Sequence, residues 1–387
     1  MARKLRTGFE LPFANTGTTV SKSFAAPSSY LWQSLYIGTI ADVFVTEFLT
    51  LTGTITNSAL TIENTTIARS KGDGSRGCIL KGNSDGNGSV MMLDTTAFSS
   101  GLYCNYWIYL GTGIVGPTAY TKLMVLYDGT NSYQVYIRYN GTAHEVAIAQ
   151  NNTSTILEQT SLGLTLSAST WYNVSVGVNN TGDITGVLNG TSVTYNTSVS
   201  FANWTRLGIA GLRNTTVNGR FIDDLAINDG SGASDNGVPN SIRAYNFFDT
   251  ATLNTNSGFA AVGGTTVLAN LQDGSDSTRA SASADLSYID FSLPTLSGTG
   301  MSETASNFTK IEAINVYGRQ IEATKASSLL KAKVTDTVAV VNREENLSLP
   351  LTVGNDSVTM FDDGSSDWVL ANLDSGDMDF RVTFDKP

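Results

Sequence analysis

Apolar and polar residues alternate along most of this chain, and no segment sustains the three-and-four spacing of a helix. GLYCNYWIYL (Gly101–Leu110) interleaves aromatic with small residues, and TKLMVLYDGTNSYQVYIRYNGTAHEVAIAQ reads as three strands separated at Asp128-Gly129 and Asn140-Gly141. Those dipeptides are the ones a primed hairpin turn requires. WYNVSVGVNNTGDITGVLNGTSVTYN (Trp171–Asn196) repeats the pattern, with turns at Gly182-Asp183 and Asn189-Gly190. WTRLGIAGL (Trp204–Leu212) and RFIDDLAIND (Arg220–Asp229) add two more strands, and Gly8-Phe9-Glu10 looks like the start of another. The polar, Gly-rich stretch Asp229–Ser241 then reads as a linker. Beyond it LSYIDFSLP, FTKIEAINVYGRQ, SSLLKAKV, DTVAVVN, SVTMF and DMDFRVTFDKP each alternate or run apolar over strand length. SSLLKAKV is assigned to a strand because Leu330, Ala332 and Val334 recur with a period of two.

So many short strands imply sheets packed face to face, and 387 residues suit two such units. The expected division is an N-terminal arm with a first strand at 1–30, one β-sandwich at 31–240, and a smaller β-sandwich at 241–387. Composition agrees. Hydrophobic residues make up 41% and charged residues 15%, and Thr, Ser, Asn and Gly take the place of charge.

Charge separates the halves. Residues 1–244 carry 14 Lys/Arg against 15 Asp/Glu and residues 245–387 carry 9 against 19, so nets of −1 and −10 give the total of −11. An acidic second half repels a phosphate backbone and disfavours nucleic acid. The basic N-terminus MARKLRTGFELPF lacks the apolar core of a secretory signal, and no stretch has the length of a membrane span. A soluble protein made in the cytosol is expected. Two cysteines, Cys78 and Cys104, exclude a disulfide framework, and Cys104 on its apolar strand reads as a buried thiol.

Catalytic chemistry finds little support. The single histidine, His144, has no nucleophile motif to serve and reads as an ordinary strand residue. Asp223-Asp224 and Asp362-Asp363 are adjacent pairs, which a regular strand sends to opposite faces. Calcium needs only loop carboxylates and carbonyls, and KGDGSRG, GNSDGNG and ADLSYID have that composition, as does turn chemistry with no ion. Asp73, Asp85 and Asp223 are the candidate ligands. Tyr103, Trp107, Tyr133, Tyr136 and Tyr139 lie on successive strands; Tyr133 and Tyr139 share parity while Tyr136 faces the other way. Tyr133 and Tyr139 are the candidate glycan or partner contacts, whereas Trp107, Trp171 and Trp204 read as core.

Three elements in order, LYCNYWIYL, WYNVSVGV leading to GVLNGTSV, and FIDDLAIND, resemble a laminin-G or concanavalin A-like lectin domain. The resemblance implies an all-β fold with a jelly-roll sandwich, and no particular activity. The layout, with GFE near the start, a lectin-like sandwich and a second β unit holding Trp368, resembles virion proteins of tailed bacteriophages. That resemblance implies a non-enzymatic structural or adhesion component of the virion. Its partners would be other virion proteins and copies of itself in a symmetric homo-oligomer, with host cell-surface glycan as a further partner. A glycan-binding adhesin is the alternative, and a glycan hydrolase or lyase the second.

Overall fold

The structure is a computed structural model. It describes residues 3–7, 20–24, 44–45, 58–63, 79–82, 89–93, 98–110, 120–150, 155–212, 221–232, 236–242, 247, 250–272, 277–295, 306, 308–320, 329–347, 354–360, 362 and 367–385. In the first half these form β1 (Arg3–Thr7), β2 (Val20–Phe24), β3 (Phe44–Val45), β4 (Ser58–Glu63), β5 (Ile79–Gly82), β6 (Ser89–Leu93), β7 (Gly101–Leu110) and β8 (Tyr120–Tyr127). There follow β9 (Ser132–Tyr139), β10 (His144–Gln150), β11 (Thr155–Ser161), β12 (Thr170–Asn179), β13 (Asp183–Leu188), β14 (Thr191–Asn196), β15 (Arg206–Leu212) and β16 (Phe221–Asp229). A nine-stranded antiparallel sheet runs β14-β13-β12-β7-β16-β5-β4-β2, with β1 also paired to β16. The N-terminal arm thus contributes its strand to the first sandwich. A seven-stranded sheet runs β11-β10-β9-β8-β15-β6-β3.

Period-two alternation builds the core between these sheets. On β7 Leu102, Cys104, Tyr106, Ile108 and Leu110 point inward and are at most 1% exposed. They meet Tyr133, Val135 and Ile137 of β9 and Val146 and Ile148 of β10 in one cluster. Fully burying each Val, Leu or Ile contributes about 1.5–3 kcal/mol, which makes this face-to-face layer the main source of stability. A bulge after Lys122 on β8 frees the Leu123 carbonyl, and the Tyr106 hydroxyl donates to it across the layer at 2.8 Å. Cys104 is buried in the core, as expected. The fold is all-β: two antiparallel sheets packed face to face, followed by a smaller set of antiparallel sheets with its own core.

Three local features depart from the regular pattern. Asn189 and Gly190 both have positive φ, 47° and 84°, and close a two-residue turn between paired Leu188 and Thr191. At Asp128-Gly129 and Asn140-Gly141 only the glycine has positive φ, and four residues separate the paired strand ends. There the Asp or Asn side chain accepts two backbone N–H groups and closes the turn itself. On β16 the register shifts between Asp223 and Ala226, with Asp224 at φ 51°. The bulge breaks the alternation expected of the Asp pair, and both residues are at most 1% exposed.

The stretch expected as a linker folds back on the outer side of the nine-stranded sheet. The Asp229 carboxylate accepts from Ser99 and Ser100 N–H and from the Ser99 and Ser231 hydroxyls. Asn228 Nδ2 donates to the Gly237 carbonyl at 2.9 Å, and Trp107 Nε1 donates to Ser241 Oγ at 2.7 Å. Residues 229–232 and 236–241 form a strap, and Ile242 behind them is buried.

The second half forms β17 (Thr252–Ser257), β18 (Phe259–Val262), α1 (Val267–Gln272), β19 (Arg279–Ala282), β20 (Ser287–Ser292), β21 (Ile314–Gln320), β22 (Leu329–Asp336), β23 (Val341–Leu347), β24 (Gly354–Met360), α2 (Leu370–Asp374) and β25 (Met378–Asp385). A five-stranded sheet runs β17-β20-β25-β22-β23, beside the pairs β18-β19 and β21-β24. Its own cluster gathers Ile289, Phe291, Ala332, Val334, Trp368, Met378 and Phe380. SSLLKAKV is a strand as expected, but the middle of DTVAVVN is the tip of the β22–β23 hairpin. Asp336 Oδ1 accepts from Val338 and Ala339 N–H, which turns the chain and leaves Val340 82% exposed.

Candidate binding site on the seven-stranded sheet

Because Tyr133, Val135 and Ile137 enter the core, β9 must send Gln134, Tyr136 and Arg138 to the opposite face. Register fixes their neighbours. Arg138 pairs with Glu145, Tyr136 lies between Lys122 and Ala147, and Gln134 lies between Val125 and Ala149. Ala147 in turn faces Gln159 on β11. This outer face is not wet. Gln134 and Tyr136 are 1% exposed, Glu145 2% and Lys122 5%, and both alanines are fully buried. Tyr136, Ala147 and Ala149 form a small apolar cluster separate from the core.

Charge at one end of the face is paired. The Arg138 guanidinium bridges to the Glu145 carboxylate and donates through Nη2 to Gln159 Oε1 at 2.7 Å. Asn140 Nδ2 donates to the other Glu145 oxygen at 3.0 Å. Burial pushes the Tyr136 phenol up; the Arg138 guanidinium pulls the other way and the Glu145 carboxylate adds to the rise. Tyr136 therefore holds its proton at neutral pH.

Gln134 is different. Neither Nε2 nor Oε1 is paired with any group among the described residues. A buried polar atom left unmade costs about 1–3 kcal/mol, so this amide is an expensive feature on its own. Its amide offers two donors and a carbonyl acceptor that no described group takes up.

The residues singled out in the sequence lie elsewhere. Tyr133 is a core ring, 6% exposed, and packs edge-on against Trp204 at 5.6 Å. It is not offered to solvent. Tyr139 is half-buried and packs on the His144 ring at 5.1 Å. His144 Nδ1 accepts from Leu166 N–H at 2.9 Å, which puts the ring proton on Nε2, and burial lowers its pKa. Asp223 accepts from Asp224 N–H. Asp73, Asp85 and Cys78 lie outside the described residues. Asp290, in the ADLSYID segment, binds Arg381 through both oxygens. Among the described residues no three His, Cys, Asp or Glu side chains come together as a metal site. Trp204 is core as expected, but Trp107 and Trp171 are half-buried on the outer face of the nine-stranded sheet. Gln134 went unnoticed in the sequence, where its one signal is Gln, Tyr and Arg at alternate positions of SYQVYIRY.

No family model matches the chain, and no curated protein matches it. Similar solved structures include the cellulose induced protein Cip1, with TM-score 0.32 and 17% identity over 44% of this chain and 85% of that one. Lectin II from Ulex europaeus gives TM-score 0.30 and 10% identity, over 54% of this chain and 97% of its own. The alginate lyase AlgAT5 of polysaccharide lyase family 7 gives 0.28 and 12%, over 58% and 93%. None of these likenesses is close enough to carry a residue or an activity across.

Proposed function

We propose that the first sandwich binds saccharide, without turning it over, on the outer face of its seven-stranded sheet. One observation carries this reading: the Gln134 amide, buried to 1% exposure, has donor and acceptor both unpaired. Sugars present adjacent hydroxyls that donate and accept, which is the complement of such an amide. Catalysis is not part of the proposal. Tyr136 keeps its proton, Glu145 is held by Arg138 and Asn140, and His144 Nδ1 is taken by Leu166. Calorimetric titration with a panel of oligosaccharides tests the reading. Wild type should bind a member of the panel, and Gln134→Leu should weaken that binding about 10- to 100-fold, the loss expected for one buried hydrogen-bonding group. New reducing ends from an incubated polysaccharide would instead make the protein an enzyme.

The biological setting belongs to the same proposal. It is a tailed-phage virion component, assembled with other virion proteins and with copies of itself, that meets host-surface glycan. Support comes from the layout of the chain, and absence of the protein from purified particles would remove it. Division into units at 31–240 and 241–387 predicts two melting transitions in calorimetry. A calcium ion at Asp223 predicts a lower melting temperature with chelator, and an unchanged one would discard the ion.

A further inference from the structure

Residues 162–166 form an arm that leads from β11 to Ser167, whose N–H is held by the Tyr172 hydroxyl. Gly163 N–H makes a local bond to Ser161 Oγ. Among the described residues, the other hydrogen bonds of this arm all run to His144. Leu162 N–H donates to the His144 carbonyl at 2.8 Å, and His144 N–H donates to the Leu164 carbonyl at 3.0 Å. Leu166 N–H donates to ring Nδ1 at 2.9 Å. Leu166 is thereby seated in the core at 2% exposure, while Leu164 stays outside it.

This arrangement suits a ring with one proton. With Nδ1 accepting, the proton sits on Nε2, which is buried and has no partner among the described residues. A second proton would set a donor against Leu166 N–H and bury a cation. The groups nearby offer that cation no anion. Arg138 and Glu145 pair with each other on the opposite face of the sheet. Asp183 on β13 is taken by Asn179 and Asn196, and Glu158 on β11 lies further along β10, opposite Ile148. Tyr195 on β14 packs against the core, and the Tyr139 ring meets the imidazole at 5.1 Å. The arm itself carries no titratable side chain.

We propose that residues 162–166 are an acid-released latch, shut on the neutral His144 ring and opened when that ring takes a second proton. Leu166 then leaves the core. The latch is independent of the saccharide reading. Burial lowers the ring's pKa while the arm is shut, and in water the ring returns to about 6.5. Opening therefore takes up a proton. It is insensitive to pH above about 6.5 and grows by up to about tenfold per pH unit below.

Amide hydrogen exchange, corrected for the intrinsic rate at each pH, tests this between about pH 5 and 8. The Leu162 and Leu166 amides should lose protection by up to about tenfold per pH unit below about 6.5. Those of Val146 and Ile148 on β10 should keep theirs. Level protection at Leu166, or an equal loss at Val146 and Ile148, would overturn the latch; the second result is global unfolding. His144→Asn sets an amide oxygen near the place of Nδ1 and does not titrate, so Leu166 should stay protected throughout. A wild-type slope in that variant would contradict the proposal. His144 is the single histidine, so its ring protons report its titration in wild type, whether or not the variant folds. A ring that gains its second proton while Leu166 stays fully protected would also overturn it.

Discussion

The two outer faces of the first sandwich are built from the same strand chemistry and end in opposite states. On the nine-stranded sheet Trp107, Asn173 and Asn228 all find partners, because Gly237 and Ser241 of the strap supply oxygen acceptors. Tyr109 and Trp171 complete that face edge to face at 5.5 Å. On the seven-stranded sheet the side chains are buried more deeply, yet Gln134 has no hydrogen-bond partner among the described residues. Burial and satisfaction are separate properties. A buried face whose polar groups are paired carries no penalty, whereas one with an orphan amide does.

Polar-to-apolar substitutions should therefore act with opposite sign on the two faces. The largest effect is expected at the foot of the strap, where Asp229 lies opposite core Leu102 at the end of the sheet: Asp229→Ala removes the acceptor for the Ser99 and Ser100 N–H groups and for Ser231 Oγ. Loss of a buried charged acceptor with several partners should cost about 3 kcal/mol in urea unfolding and release the strap. A cost under about 0.5 kcal/mol would mean that the strap is not anchored there. Next, Gln134→Leu without ligand should stabilise the protein by about 1–2 kcal/mol, since it deletes two unpaired buried atoms and keeps the shape. Destabilisation would show that the amide is paired after all. Ser241→Ala should cost about 1 kcal/mol, with a shift in tryptophan emission as Trp107 loses its acceptor.

Acid should bring the smallest and most gradual change, in two steps. Burial lowers His144 from its ordinary 6.5, so its contribution is full above that pH and is lost as pH falls through the lower folded value. For Asp229 burial works upward, but the Ser99 and Ser100 N–H groups with the Ser231 and Ser99 hydroxyls outweigh it and hold the carboxyl below 3.8. Its contribution is therefore present above pH 3.8 and lost below. Melting temperature against pH should be flat above neutrality, decline below about 6.5 and decline again below about 4. His144→Phe should remove the first decline alone.

Much of the fold is legible in the sequence, because burial on one side of a strand writes a period of two. SSLLKAKV is assigned that way and Asn189-Gly190 by its turn chemistry, and the structure agrees with both. Parity, however, does not say which face is the core when both carry aromatics. LYCNYWIYL offers Tyr106 and Trp107 on opposite sides, and only packing against β9 and β10 sends Tyr106 inward and leaves Trp107 to the strap. A bulge defeats parity outright, as at Asp223-Asp224. DTVAVVN misleads for a different reason: Asp336 captures two N–H groups and bends an apolar run that propensity favours as strand. The candidate site was the least legible part. A lone Gln in SYQVYIRY says nothing about whether its outer face is wet, since that depends on residues distant in the chain.

Side-chain amide and indole signals in a nitrogen–proton correlation spectrum compare the two faces in one experiment. On adding a saccharide that binds, the Gln134 NH2 pair should shift, while the Trp107 and Trp171 indoles stay in place. Indoles that move while Gln134 does not would put the ligand on the strapped face and contradict the account.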